Sequence, residues 1–179
     1  MRGLLVGRFQ PFHRGHLAVV QEIRTARAAE ELILGVGSAQ ESYTWKNPFT
    51  SGERLEMIAR ALAEAHLDHV LALPLPDIQR HALWVRYVES ILPPFDRVYT
   101  NNPLTRLLFE QAEYPVESPS LIDRARFEGE SVRGRIAADQ GWKSLVPAAV
   151  ASYLQEIHAP ARLTVLREGQ GRSPGGARR

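Results

Sequence analysis

The chain opens with MRGLLVGRFQPFHRGH, residues 1–16, and this stretch decides the fold. Gly3 to Gly7 is an apolar run too short for a helix, and it reads as a buried strand. Two histidines, His13 and His16, follow in a loop that Pro11 stiffens. Gly15 between them permits close backbone approach, and His16 opens a helix. A helix N-terminus presents free N–H groups and partial positive charge, so anions settle there. Arg8 adds a guanidinium to the same rim. Two imidazoles and an arginine just past a first strand suit a polyphosphate. By spacing alone the pair could also bind a metal or merely cap the helix. It lacks the i, i+4 spacing and the glutamate of an HExxH zinc helix.

Outward from this stretch the pattern alternates. A helix is expected from His16 to about Ala29, with Val19, Val20 and Ile23 on one face, then a strand over Glu31 to Val36. The polar loop GSAQESYTWKNPFTSGER, residues 37–54, leads into a helix from about Gly52 to Ala65. Its core positions are Leu55, Ile58, Ala59 and Leu62. HVLALPL (69–75), DRVYT (96–100) and YPVES (114–118) are further strands. HALWVRYVESIL (81–92) is a helix stopped by Pro93-Pro94, and LTRLLFEQ (104–111) another. ESVRGRIAADQ (130–140) and PAAVASYLQEIH (147–158) close the chain as helices. Strands alternating with helices predict an α/β protein: a doubly wound, Rossmann-like parallel sheet flanked by helices. Ligands then bind beyond the carboxyl ends of the strands. The loops to watch are 8–16, 37–52, 74–82, 100–103 and 119–131.

Composition sets outer bounds. At 179 residues, one domain is expected. No apolar stretch approaches twenty residues, so no membrane span is expected, and the N-terminal apolar run is too short for a signal peptide. With no cysteine, disulfides and thiolate chemistry are excluded, and a cytoplasmic location is expected. The net charge is +2, and the last stretch, REGQGRSPGGARR (167–179), concentrates four arginines. It reads as a solvated terminus, with no nucleic-acid partner implied. The expected division is one domain over 1–158 and a C-terminal extension, 159–179, that is mostly a disordered basic tail. There is no GxxxxGK[ST] loop. Gly35-Val36-Gly37 lacks the third glycine of a dinucleotide fingerprint and reads as a tight turn exposing backbone N–H groups.

The HxGH motif after the first strand of an α/β domain is similar to the signature of the nucleotidyltransferase superfamily. A second signature, a turn with arginine opening a late helix, resembles Gly129-Glu130-Ser131-Val132-Arg133-Gly134-Arg135. Five blocks occur in one order: MRGLLVGRFQPFHRGH, GSAQ…NPFTSGER, DIQRHALWV, PPFDRVYTNNP and GESVRGR. Together, over about residues 1–158, they resemble the archaeal-type nicotinamide-nucleotide adenylyltransferases. The resemblance implies a nucleotidyltransferase fold. It also implies adenylyl transfer from ATP to nicotinamide mononucleotide (NMN), giving NAD and pyrophosphate. Mg²⁺ would be carried by the ATP phosphates, no protein metal ligand is implied, and a homo-oligomer is expected.

The resemblance also implies roles. His16 would contact the α- and β-phosphates, His13 the β/γ side, and Arg8 would steer them. Arg133 would clamp the β- and γ-phosphates, with Arg135 as understudy. Lys46, where the family usually carries arginine, keeps the charge without the planar fork. Phe9, Gly15, Asn102 and Ser131 would complete the ATP side; Asn101-Asn102-Pro103 resembles a Gly-Asn-Pro turn. Glu130 stands where the family has a phosphate-binding threonine. On the acceptor side, Trp84 would stack on the nicotinamide, with Ile78 and Gln40 nearby and Phe49 as an aromatic lid. His81 stands where the family usually shows asparagine, and an imidazole cannot reproduce an amide's pair of bonds. Rival readings keep the ATP half and change the acceptor: nicotinate mononucleotide, FMN, phosphopantetheine or a sugar alcohol phosphate. A non-catalytic nucleotide-binding regulator should carry a DNA-reading element, and none is read.

Overall fold

The computed structural model describes residues 1–26, 31–120 and 126–170. Five strands form one sheet: β1 (Arg2–Gly7), β2 (Glu31–Gly37), β3 (Val70–Leu75), β4 (Arg97–Tyr99) and β5 (Val116–Glu117). Every pairing is parallel, in the order β3-β2-β1-β4-β5. The order reverses between β1 and β4, which places the ligand crevice beyond their carboxyl ends. Among the described residues, seven α-helices connect and flank the strands: α1 (Arg14–Ala26), α2 (Ser51–Glu64), α3 (His81–Ile91), α4 (Pro103–Gln111), α5 (Gly129–Ala137), α6 (Ala148–Glu156) and α7 (Ala159–Gln170). A 3₁₀ turn spans Trp142–Leu145.

The period-2 geometry of a strand explains the two layers. Along β2, Leu32, Leu34 and Val36 face a core shared with α1, α2 and α5–α7. Ile33 faces the opposite core, with Leu4, Val98 and the α3–α4 residues Val85, Val88 and Phe109. Both faces are covered, which is why the central strands are continuous apolar runs rather than alternating ones. The doubly wound parallel sheet expected from the alternation is therefore the fold. Among the described residues no helix is long and apolar enough to cross a membrane.

Three expectations need correction. Helix α2 buries Arg54, Met57, Ile58, Ala61 and Leu62, while Ala59 is exposed. Its buried face is thus rotated from the expected one, because an arginine takes a core position. Helix α1 begins at Arg14, two residues before His16, and residues 27–29 of its expected course lie outside the described residues. The boundary at 158 also moves. Residues 159–170 form a helix packed on α5 and α6, with Ala159 and Leu163 fully buried. Pro160 stands in its first turn, where proline is tolerated because its missing N–H has no partner to lose. The remainder of the expected tail, residues 171–179, lies outside the described residues.

Candidate active site

The loop after β1 carries the central groups. His13 and His16 stack face to face, with ring centroids 3.5 Å apart and planes at 14°. Each ring accepts a hydrogen bond from the other residue's backbone: His13 N–H donates to His16 Nδ1 (3.3 Å), and His16 N–H donates to His13 Nδ1 (3.2 Å). Both Nδ1 lone pairs are thereby used. A neutral ring in this arrangement must carry its proton on Nε2. Burial pushes His13 down to about 4, against a smaller opposing effect of its backbone hydrogen bond. Burial, and then the neighbouring His13, holds His16 well below the ordinary histidine range. At neutral pH the pair is two uncharged N–H donors. A metal ion would need lone pairs that the backbone already occupies.

Aromatic rings fix the pair from both sides. Phe127 stacks on His13 at 5.8 Å, and Phe9 meets His16 edge-on at 4.9 Å. Gly15 is required here: a Cβ would lie 2.8 Å from Phe127 Cβ and 3.2 Å from His13 Cε1. Phe9 itself is buried, so it braces His16 rather than offering a face to a ligand.

Beside this loop lies a cleft of about 350 Å³ lined by Arg8, Trp45, Lys46, Glu128, Gly129, Glu130, Arg133 and Gln170. Arg133 is only 6% exposed. Its Nη1 donates to the Gln10 carbonyl (3.0 Å), and its Nε has no hydrogen-bond partner among the described residues. Burial and then the charge of Arg8 lower its basicity, partly offset by Glu130 and Glu128. The guanidinium also sits 5.8 Å from the Trp45 ring. A buried guanidinium with an unused donor and cationic neighbours is poised for an anion. Lys46 is exposed at the rim. Arg135 is exposed and does not line the cleft, which corrects its expected role. Two residues along a helix is more than half a turn, so Arg133 and Arg135 face apart. Ser131 is half-buried in the first turn of α5, next to exposed Glu130.

A second, less polar groove of about 290 Å³ lies beyond β3 and β4. It is lined by Asp77, Ile78, His81, Trp84, Asn102 and Leu108, among others. The Trp84 ring rests edge-on against Phe109 (5.4 Å) and is half-buried, leaving part of it to the groove. His81 and Gln40 are exposed. The Gln40 Oε1 accepts the Asp77 N–H (2.9 Å), and Ser38 Oγ donates to Asp77 Oδ2 (2.6 Å). These bonds join the loops after β2 and β3. Asn102 lines this groove rather than the arginine cleft, and its side chain caps α4 by accepting from Thr105 N–H (2.9 Å). Phe49 is a further correction. It is fully buried within the α1–α2 core, not a lid over the groove.

Sequence reasoning missed the residues that hold these loops. Gln10 pairs with the Phe49 backbone in both directions: Nε2 donates to its carbonyl and Oε1 accepts its N–H, each at 3.0 Å. Arg54 is fully buried. Its Nη1 donates to Gly37 O (2.7 Å) and Arg8 O (3.0 Å), and its Nη2 to Ser38 O (3.0 Å). It ties the exits of β1 and β2 together. Its three-to-seven-residue spacing from Met57, Ile58 and Ala61 was the available signal.

A doubly wound sheet with paired imidazole donors in the loop after its first strand is the arrangement that the resemblance to the nucleotidyltransferase class implies. The chain belongs to the cytidylyltransferase-like family, whose pattern matches residues 4–125. It is 48% identical over 162 residues to the nicotinamide-nucleotide adenylyltransferase of Methanolobus tindarius, covering 90% of this chain and 92% of that one. To the protein of the same name from Methanospirillum hungatei it is 44% identical over 175 residues, 98% and 99% of the two chains. A solved structure, a bifunctional NMN adenylyltransferase/ADP ribose pyrophosphatase from Francisella tularensis, matches with a TM-score of 0.74 at 21% identity. That match covers 92% of this chain and 51% of the other, so the chain spans about half of that bifunctional protein and shares its fold.

Proposed function

We propose that the protein transfers the adenylyl group of ATP to NMN, giving NAD and pyrophosphate. The observation that carries this reading is the neutral His13–His16 donor pair, together with a buried Arg133 whose Nε has no hydrogen-bond partner among the described residues and a groove lined by Trp84. Near-full-length relatives bearing that activity's name, at 44–48% identity, support it.

The balanced step is an in-line displacement. An oxygen of the NMN phosphate forms a bond to the α-phosphorus of ATP. The bond from that phosphorus to the bridging oxygen of the β-phosphate breaks, and pyrophosphate leaves with the electron pair. No protein nucleophile is needed, so catalysis is positioning and charge stabilisation. The Nε2–H groups of His16 and His13 donate to phosphoryl oxygens without bringing charge that would over-bind the substrate. Arg133, Lys46 and Arg8 supply the positive charge for the β- and γ-phosphates and the departing pyrophosphate. Trp84 offers an indole face to a cationic pyridinium. Mg²⁺ enters as part of the substrate, held by the triphosphate. The cleft's own carboxylates, Glu128 and Glu130, do not form a cage, and among the described residues no three His, Asp or Glu side chains cluster as metal ligands. A cytoplasmic location and homo-oligomeric assembly complete the proposal; exposed Leu104 and Leu107 on α4 are available to an interface.

The test is pyrophosphate release with MgATP, run in parallel with NMN, nicotinate mononucleotide, FMN and phosphopantetheine. Turnover with NMN, a product that co-migrates with NAD, and a loss of about 100-fold in His16→Ala are expected, the last from one lost phosphoryl donor of about 3 kcal/mol. Turnover with only FMN or phosphopantetheine would retain the ATP half and overturn the Trp84 assignment.

A further inference from the structure

We propose that Arg162, on the C-terminal helix α7, is a positioning residue for the phosphate cleft: it fixes the loop that presents Lys46. The proposal rests on the adenylyl-transfer reading for its kinetic readout.

The geometry is specific. The Arg162 guanidinium grips Glu53 with both ends of its fork: Nη1 donates to Oε2 (2.8 Å) and Nη2 to Oε1 (2.7 Å). Both side chains are largely buried, 17% and 15% exposed, so the pair is shielded from solvent in a way surface pairs are not. Nη1 also reaches the Pro48 carbonyl (3.4 Å). The guanidinium carbon lies 4.9 Å from the Tyr43 ring centre and 5.8 Å from that of Phe49. Arg162 therefore touches the loop at Tyr43, at Pro48 and Phe49, and at Glu53.

Glu53 passes the restraint on. Its Oε2 also accepts the Thr50 N–H (2.9 Å), while Thr50 Oγ1 accepts the Glu53 N–H (3.2 Å). This reciprocal capping box starts α2 and sets the direction in which the loop enters it. Between the contacts at Tyr43 and Pro48 lie Trp45, which packs beside Arg133, and Lys46 at the cleft rim. The far side of the loop is held by Gln10 on Phe49 and by Arg8 on Asn47 (3.5 Å). Helix α7 adds a second restraint through Arg162, on Pro48 and Glu53. Helix α7 can act as an anchor because Leu163 is buried, Thr164 Oγ1 bonds to the Ala137 carbonyl at the end of α5 (2.9 Å), and Gln170 lines the cleft itself. A lysine at position 46 makes this restraint matter more: a point charge on a flexible stem depends on its backbone for aim.

The test is a double-mutant cycle on the full chain, read as kcat and KM for ATP well below the melting temperature of every variant. Arg162→Gln is expected to lower kcat about tenfold. Arg162→Lys, which keeps the charge but loses the fork, recovers part of that loss. In a Lys46→Ala background the same Arg162→Gln change costs less than twofold, because the group it positions is gone. An equal loss in both backgrounds would overturn the proposal and leave Arg162 as a stabilising ion pair. So would a lowered melting temperature with unchanged kcat. A wild-type protein that releases no pyrophosphate with any acceptor would refute the functional reading instead. The cycle is then read on MgATP affinity by titration, where non-additivity of threefold or more supports the positioning role and additivity overturns it.

Discussion

Replacing Arg54 with methionine tests whether the site is held by buried backbone contacts. The change keeps the length and removes the donors. Three carbonyls, Gly37 O, Ser38 O and Arg8 O, lose their bonds from the guanidinium. Thr50 O keeps its bond from the Arg54 backbone N–H (3.1 Å) and is not orphaned. At about 2 kcal/mol for a buried hydrogen bond to a charged donor, the three contribute about 6 kcal/mol. Against that stands the cost of burying the charge. Burial, with the repulsion of Arg8, pulls Arg54 down to about 10 despite the favourable Asp77, a fall from 12.5. That corresponds to about 3 kcal/mol returned on neutralisation. The net expectation is about 3 kcal/mol of lost stability, or about 6–12 °C in melting temperature for a chain of this size. Urea denaturation followed by tryptophan fluorescence measures it; Trp142, buried at 1% exposure, reports the core. ATP KM should rise as well, because the exits of β1 and β2 lose their common tie. A loss below 1 kcal/mol with unchanged ATP KM would refute the reasoning, since the carbonyls would then be satisfied without the arginine.

Other expectations are more compact. His13 ionises at about 4 in the folded chain and near 6.5 unfolded, so between these values the unfolded state binds more protons. Its contribution is fully present above about pH 6.5 and falls by about 3 kcal/mol as pH drops to 4; His13→Asn should flatten that slope in denaturation curves measured from pH 7 to 4. Gly15→Ala should lower kcat about tenfold or more with a smaller effect on melting, because the new methyl displaces the Phe127–His13 stack; wild-type kcat would contradict the close approach. Phe49→Ala should cost about 3–5 kcal/mol in stability, as a core truncation does, and an unaltered melting temperature with a raised acceptor KM would restore it as a lid.

Much of the fold was legible because its signals are local. Apolar runs mark β1, β2 and β3, and Pro93-Pro94 marks the end of α3 where expected, at Leu92. The phase of α2 was misread because a buried arginine does not count as apolar in any periodicity. Helix α7 was missed because few apolar residues mark its buried stripe and Pro160 stands near its start. At the site, His13, His16, Lys46 and Arg133 were read from motifs; the structure places Lys46 and Arg133 on one cleft and stacks His13 on His16 in the loop after β1. Gln10, Arg54 and Arg162 were not, because their partners are backbone carbonyls or side chains of distant loops. Such contacts leave no spacing of their own in the sequence; for Arg54 the one signal was its place on the buried stripe of α2. Phe49 and Arg135 were misplaced for the complementary reason: residue type names a capacity, while the direction of the side chain is set by packing.

The phosphate cleft draws on the chain from Arg8 to Gln170. During synthesis, the five-stranded sheet is complete in sequence once Glu117 has been made, while α5 and α7 are still to come. A nascent chain at that point has every strand of its scaffold and both imidazoles, but neither Arg133 nor Gln170. Domains fold as units, and here the strands are made before the residues that complete both their core and the cleft. Such a nascent chain also lacks the α5–α7 side chains that cover one face of the sheet, so the same late segment that completes the core completes the cleft.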